Sequence, residues 1–97
     1  MPTFEWLSLF DREWRELDAE EQLAFREAVA AFVEDLREGA SFRKSLRVKK
    51  MQGHDDIWEI TWAADGRATF HYGTSRVEGE PHIVWRRIGT HEIFVRP

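Results

Sequence analysis

The chain has no cysteine. That excludes disulfides, thiolate metal sites and thiol nucleophiles, and it fits a reducing compartment. No apolar run approaches the roughly 18 residues of a membrane span. The opening "MPTFEW" has neither the basic nor the apolar region of a secretory signal, so a cytoplasmic location without membrane contact is the expectation. Internal repeats and low-complexity tracts are missing too. So is an excess of positive charge: 18 Asp and Glu against 14 Lys and Arg leave a net charge of −4, which argues against indiscriminate binding to polyanions.

What remains is apolar and aromatic. Ninety-seven residues that are 42% hydrophobic and 13% aromatic, with five Trp, supply one packed core and not two. A single domain over residues 1–97 is expected. Charge is spread unevenly. Residues 1–39 hold eleven acidic and four basic side chains, whereas residues 40–97 hold seven acidic and ten basic. Five of the eight residues in "RKSLRVKK" (43–50) are basic. Screening confines such fields to roughly 8–10 Å, so a local basic face is compatible with a net acidic chain.

"TFEW" (3–6) reads as a short opening strand. Phe10, Trp14 and Leu17 then recur at helical spacing. Asp18 followed by Glu21 has the form of a capping box. The helix it opens places Phe25, Val29, Phe32, Val33 and Leu36 on one stripe and stops at Gly39, with its acidic and alanine face expected in solvent. After Gly39 the period shortens to two. "SLRVKKM" (45–51), "IWEITW" (57–62), "RATFHYG" (67–73) and "HIVWRRI" (82–88) read as strands between turn signals. The predicted fold is α+β, with two N-terminal helices packed on one face of a small antiparallel sheet.

The turn in "AADGRA" sets the register of the central hairpin. A two-residue loop mixes polar and apolar side chains on each face. A three-residue loop with Gly66 left-handed pairs Ala63 with Arg67. It collects Trp58, Ile60, Trp62, Ala68, Phe70 and Tyr72 on one face and Glu59, Thr61, Arg67, Thr69 and His71 on the other. Segregation favours the second, with Glu59 opposite His71 on a face no helix covers. Trp58 and Trp62 are then core residues. The last strand is ambiguous: Arg86 and Arg87 in "HIVWRRIGTHEIFVRP" cannot be oriented by pattern. His82, at a strand start after proline, is expected in solvent, and "GHDD" (53–56) reads as a polar loop rather than a metal site.

"SLRVKKMQGHDDIWEITWAADGRATFHYG" followed by "HIVWRRIGTHEIF" resembles the RelE/ParE superfamily of bacterial toxins from type II toxin–antitoxin modules. The likeness rests on a basic strand, a W-E strand, a hairpin that reads G-R-x-x-F here and a late G-T-H-E-x-F, and it covers nearly the whole chain. The resemblance implies a ribosome-dependent mRNA endoribonuclease that needs neither metal nor cofactor and that inhibits translation. Attack of a 2′-hydroxyl on the adjacent phosphorus leaves a 2′,3′-cyclic phosphate. It also implies an antitoxin partner in a hetero-oligomer, expected to cover the polar sheet face or strand 43–50.

Carried over by motif, Arg67 stabilises the phosphoryl charge, His91 transfers a proton and Phe94 stacks on a base. On register grounds His71 and Glu59 assist. Arg47, Lys49, Lys50, Arg86 and Arg87 are the candidates for binding RNA phosphates. The chain departs from the family pattern in three ways. Glu59 and Thr61 stand where well-known members carry lysines, Phe94 has no hydroxyl, and the net charge is acidic. Two further activities stay open: a ParE-like toxin that binds DNA gyrase, and a non-catalytic relative that binds only protein partners.

Overall fold

The computed structural model describes residues 2–39 and 41–97. Strand β1 (Thr3–Trp6) leads into α1 (Ser8–Glu16) and α2 (Ala19–Glu38). A 3₁₀ turn (Lys44–Leu46) precedes β2 (Lys49–Lys50), β3 (Trp58–Thr61), β4 (Arg67–Gly73) and β5 (His82–Gly89). A second 3₁₀ segment (His91–Val95) follows. The sheet order is β1-β5-β4-β3-β2, antiparallel except for the β1–β5 pair, and both helices pack on one face. Among the described residues no helix is long and apolar enough to cross a membrane.

Local chemistry sets the limits of α2. The Asp18 carboxylate accepts from the Glu21 N–H at 2.8 Å, and the Glu21 side chain accepts from the Asp18 N–H at 2.9 Å. Two donors that a helix start leaves orphaned are thereby satisfied. Gly39 ends the helix at φ 68°, a conformation that costs a side chain little only when there is none. One acidic residue of the helix departs from the expected solvated face. Asp35 is buried and accepts from the Arg43 backbone N–H (2.9 Å), Nε (3.0 Å) and Nη2 (2.9 Å). Those Arg43 hydrogen bonds hold its carboxyl below the usual carboxylate range, and they tie the chain leaving α2 back to the helix.

The core is an aromatic cluster. Phe32 of α2 is fully buried, stacked on Phe42 at 5.0 Å and edge-on to Phe70 at 5.1 Å. Phe25 and Phe70 meet the Trp85 ring at 5.2 and 5.4 Å. Such edge-to-face pairs add to area burial, which alone stabilises by about 1.5–3 kcal/mol per large apolar side chain.

Two expectations are corrected here. Strand 45–51 shrinks to Lys49–Lys50, because Lys44–Leu46 form a 3₁₀ turn closed by Arg47 in the left-handed region at φ 49°. The hairpin register is also offset: Thr61 faces Arg67, and Trp62 N–H donates to the Gly66 carbonyl at 3.0 Å, leaving Ala63-Ala64-Asp65 as the loop. The offset is two in the sum of partner numbers, so polarity still segregates as the pattern requires. Gly66 is not left-handed. Its hydrogen is required because a Cβ there would lie 2.6 Å from the Trp62 ring.

Candidate functional site

The sheet face turned away from the helices carries the polar residues, and a β-bulge decides which ones. Thr69 pairs with Arg87 but Phe70 pairs with Trp85, so β5 holds one residue more than β4 across that step. Ile83, Trp85 and Ile88 all enter the core, while Arg86 and Arg87 both leave it. A bulge is the standard way to place two consecutive side chains on one side of a strand.

These arginines are already engaged. Arg86 Nη1 donates to His71 Nδ1 at 3.0 Å, and its Nε donates to the Pro97 carbonyl at 3.1 Å. The buried Thr69 hydroxyl donates to the same oxygen at 3.2 Å. Residues 96–97 therefore lie over the middle of a face expected to be bare. Arg87 forms a two-pronged ion pair with Glu13 of α1 (3.2 and 2.7 Å), with both side chains mostly buried. It fastens the helical layer to the sheet instead of offering a free cation. Glu59, expected opposite His71, faces Thr69 and Lys49 instead, with the Lys49 ammonium 3.8 Å from its carboxylate. Lys50 points the other way, 5.8 Å from the Trp58 ring centroid. Phe94 is half-buried in the second 3₁₀ segment.

His71 illustrates what the arrangement does to a titrating group. Burial first, and then the neighbouring Arg86 charge, push its pKa below the ordinary 6.5, with Asp56 and Glu5 opposing weakly. Because Arg86 donates to Nδ1, the single proton sits on Nε2. A histidine depressed in the folded state contributes stability above the unfolded pKa and loses it as pH falls from about 6.5 through the folded value. An NMR titration should therefore place the His71 midpoint below that of a model peptide. Arg86→Gln should move it upward, and a midpoint at or above 6.5 in the parent protein would contradict the arrangement.

The opposite end of the face holds a second histidine. Arg67 pairs with Gly89 at the last rung of β4–β5, so the chain leaving Gly89 runs beside the β3–β4 turn. Thr90 then caps the second 3₁₀ segment, accepting from the Glu92 N–H at 3.3 Å, and His91 opens it. His91 Nδ1 meets Asp65 Oδ1 at 3.0 Å, joining residues 26 apart in sequence. That His91 hydrogen bond holds the Asp65 carboxyl below its usual range, with the Arg67 charge a smaller influence. A carboxylate at Nδ1 fixes the tautomer with the proton there, leaving the Nε2 lone pair free to accept one. Arg67 Nη1 donates to the Ala63, Ala64 and Gly66 carbonyls at 3.3, 3.4 and 3.0 Å. Arg67 and His91 are thus gathered around one turn, with Asp65 between them.

Asp65 is the residue that sequence reasoning passed over: "ADG" read as a turn former, and only the β4–β5 register shows that it meets His91. His82 is corrected from exposed to buried, with Nδ1 2.7 Å from Thr3 Oγ1 and Nε2 2.8 Å from Glu5 Oε1, the latter shared with Arg76 at 3.0 Å. No cluster of three His, Cys, Asp or Glu side chains suited to a metal ion occurs among the described residues.

This fold is the fold of RelE-like toxins. The structure is similar to a YoeB/ParE toxin from Agrobacterium tumefaciens at a TM-score of 0.66 and 13% identity, covering 92% of this chain and 98% of that one. It is similar to a chain of the Escherichia coli DinJ–YafQ toxin–antitoxin complex at a TM-score of 0.63 and 11% identity, covering 94% of this chain and 93% of that one. It is also similar to a chain of the RelB–RelE antitoxin–toxin complex from Methanococcus jannaschii at a TM-score of 0.57 and 15% identity, covering 94% of each. No protein-family model matches the sequence, and neither does any curated protein.

Proposed function

We propose that the protein is the toxin of a type II toxin–antitoxin pair and that it cleaves mRNA without metal in the ribosomal decoding site. The observation that carries the reading is the exposed imidazole of His91, held by Asp65 beside the Arg67 guanidinium. Cleavage of a phosphodiester by its own 2′-hydroxyl needs a proton acceptor and a cation for the crowded phosphoryl oxygens. His91 Nε2 takes the 2′-hydroxyl proton, the 2′-oxygen bonds to phosphorus, and Arg67 faces the charge that accumulates. The bond to the 5′-oxygen breaks, and solvent protonates that oxygen. The products are a 2′,3′-cyclic phosphate and a 5′-hydroxyl.

The other candidates take supporting parts. Arg47, Lys49 and Lys50 are exposed cations for phosphates of the incoming strand. His71, Glu59, Arg86 and Arg87 shape the face through the contacts described, and Phe94 offers a ring to a splayed base. Two of the similar structures are complexes with antitoxins, which supports a protein partner here. That partner covers the polar sheet face or the basic stretch 43–50, with an acidic or amphipathic segment.

Induced expression followed by primer extension on cellular mRNA tests the reading. Discrete breaks ending in 2′,3′-cyclic phosphate are expected. The purified toxin with ribosomes in Mg²⁺ buffer should make the same breaks, and 1,10-phenanthroline, which removes transition metals and leaves the ribosomal Mg²⁺, should not slow them. Altered DNA supercoiling without such breaks would replace this reading with gyrase binding, and cleavage lost on adding 1,10-phenanthroline would remove the metal-free mechanism.

A further inference from the structure

Beyond the turn that carries Asp65 lies a groove of which the cleavage mechanism uses only Arg67. Its volume is about 530 Å³, and it runs between α2, the first 3₁₀ turn and the β3–β4 turn. Small side chains keep its floor low: Ala24, Ala28 and Ala31 lie along α2. Arg43, Arg47 and Arg67 line it, against a single carboxylate, Glu27. Arg43 is neutralised by Asp35 and by Glu34 at 3.5 Å. Arg47 is exposed and, among the described residues, has no ion-pair partner.

Two further features converge on the same place. Arg47 sits at φ 49°, a left-handed conformation that a side chain adopts at a cost and that is concentrated at functional positions. Trp62 is another lining residue and brings an aromatic ring to the groove.

We propose that this groove binds one nucleotide of single-stranded RNA next to the reacting phosphate. Arg47 holds its phosphate, Arg67 is shared with the cleavage site, and Trp62 forms the wall against its base and sugar. The groove falls within the roughly 300–1,000 Å³ of sites that enclose small ligands. Guanidinium groups suit phosphodiester oxygens, and an indole face suits any base. The inference rests on the nuclease reading for the identity of the chain that enters. It adds a subsite that sets which strand geometry is accepted.

The test is binding rather than cleavage. The intact protein is titrated with a 2′-O-methyl RNA hexanucleotide, which lacks the attacking hydroxyl. Trp indole N–H and Arg Nε–H resonances are followed by NMR, with Trp62 assigned through Trp62→Phe. The Trp62 and Arg47 signals should shift together. Arg47→Gln should weaken binding and reduce the slope of log K against log salt by about 0.7, the value for one phosphate contact on a single strand. Ala24→Leu, which narrows the groove from the helix side, should weaken binding at unchanged salt slope, and circular dichroism confirms that both variants fold. If only Asp65 and His91 signals respond, the subsite is overturned while the nuclease reading stands. If hexaglutamate shifts the groove signals and displaces the RNA, the groove is a polypeptide site and the proposal fails. If the hexanucleotide moves no signal, the subsite is overturned, while the nuclease reading is decided by the primer-extension experiment.

Discussion

His91→Ala should lower the rate of mRNA cleavage by roughly 10²–10⁴-fold, the usual worth of a positioned proton-transfer group, with little change in unfolding midpoint. The imidazole and its Asp65 partner are both more than half exposed, so their hydrogen bond contributes little to folding. Asp65→Ala should cost less than His91→Ala. Adding it to His91→Ala should cost almost nothing more, because its role is to orient an imidazole that is then absent. Single-turnover cleavage of a defined mRNA on ribosomes, with all three variants beside the parent, measures this. Additive losses would remove the orienting role of Asp65, and full activity in His91→Ala would remove the mechanism itself.

The second large effect is on stability. Phe32→Ala should destabilise the fold by about 3–5 kcal/mol, a large share of the roughly 5–15 kcal/mol that holds a typical domain together. The ring is wholly buried and contacts Phe42, Phe70 and Trp85, which belong to three different parts of the chain. Phe70 and Trp85 are held by the sheet and cannot collapse into the vacated volume, so the cavity penalty adds to the lost transfer energy. Urea unfolding should show a much lower midpoint at unchanged slope. A loss below 1 kcal/mol would show that α2 repacks freely against the sheet.

Much of the fold was legible because its signals are local. The limits of α2 follow from Asp18, Glu21 and Gly39, whose hydrogen bonds span at most a few residues. The helix stripe and the alternation in β3 and β4 follow from periodicity. The open face of the hairpin was legible even though its register was not, since an offset of two leaves side-chain direction unchanged. The stretch 45–51 misled for the opposite reason: alternation of Leu46 and Val48 with Arg47 and Lys49 suits a strand, but the left-handed turn at Arg47 overrode it. His82 looked exposed by position and is buried because β1 comes alongside β5 from 77 residues away to supply Glu5 as its partner.

The amino-acid order by itself determined an α+β chain with capped helices, a segregated hairpin and a late histidine beyond a glycine, because capping, polarity and turn chemistry act between near neighbours. Three-dimensional packing decided the rest. A one-residue bulge turned both Arg86 and Arg87 outward, Glu13 then claimed one of them, and the β4–β5 register carried Asp65 to His91. Each of these depends on strand alignment, which is set by the total burial of the sheet against the helices and leaves no trace in any short window of sequence.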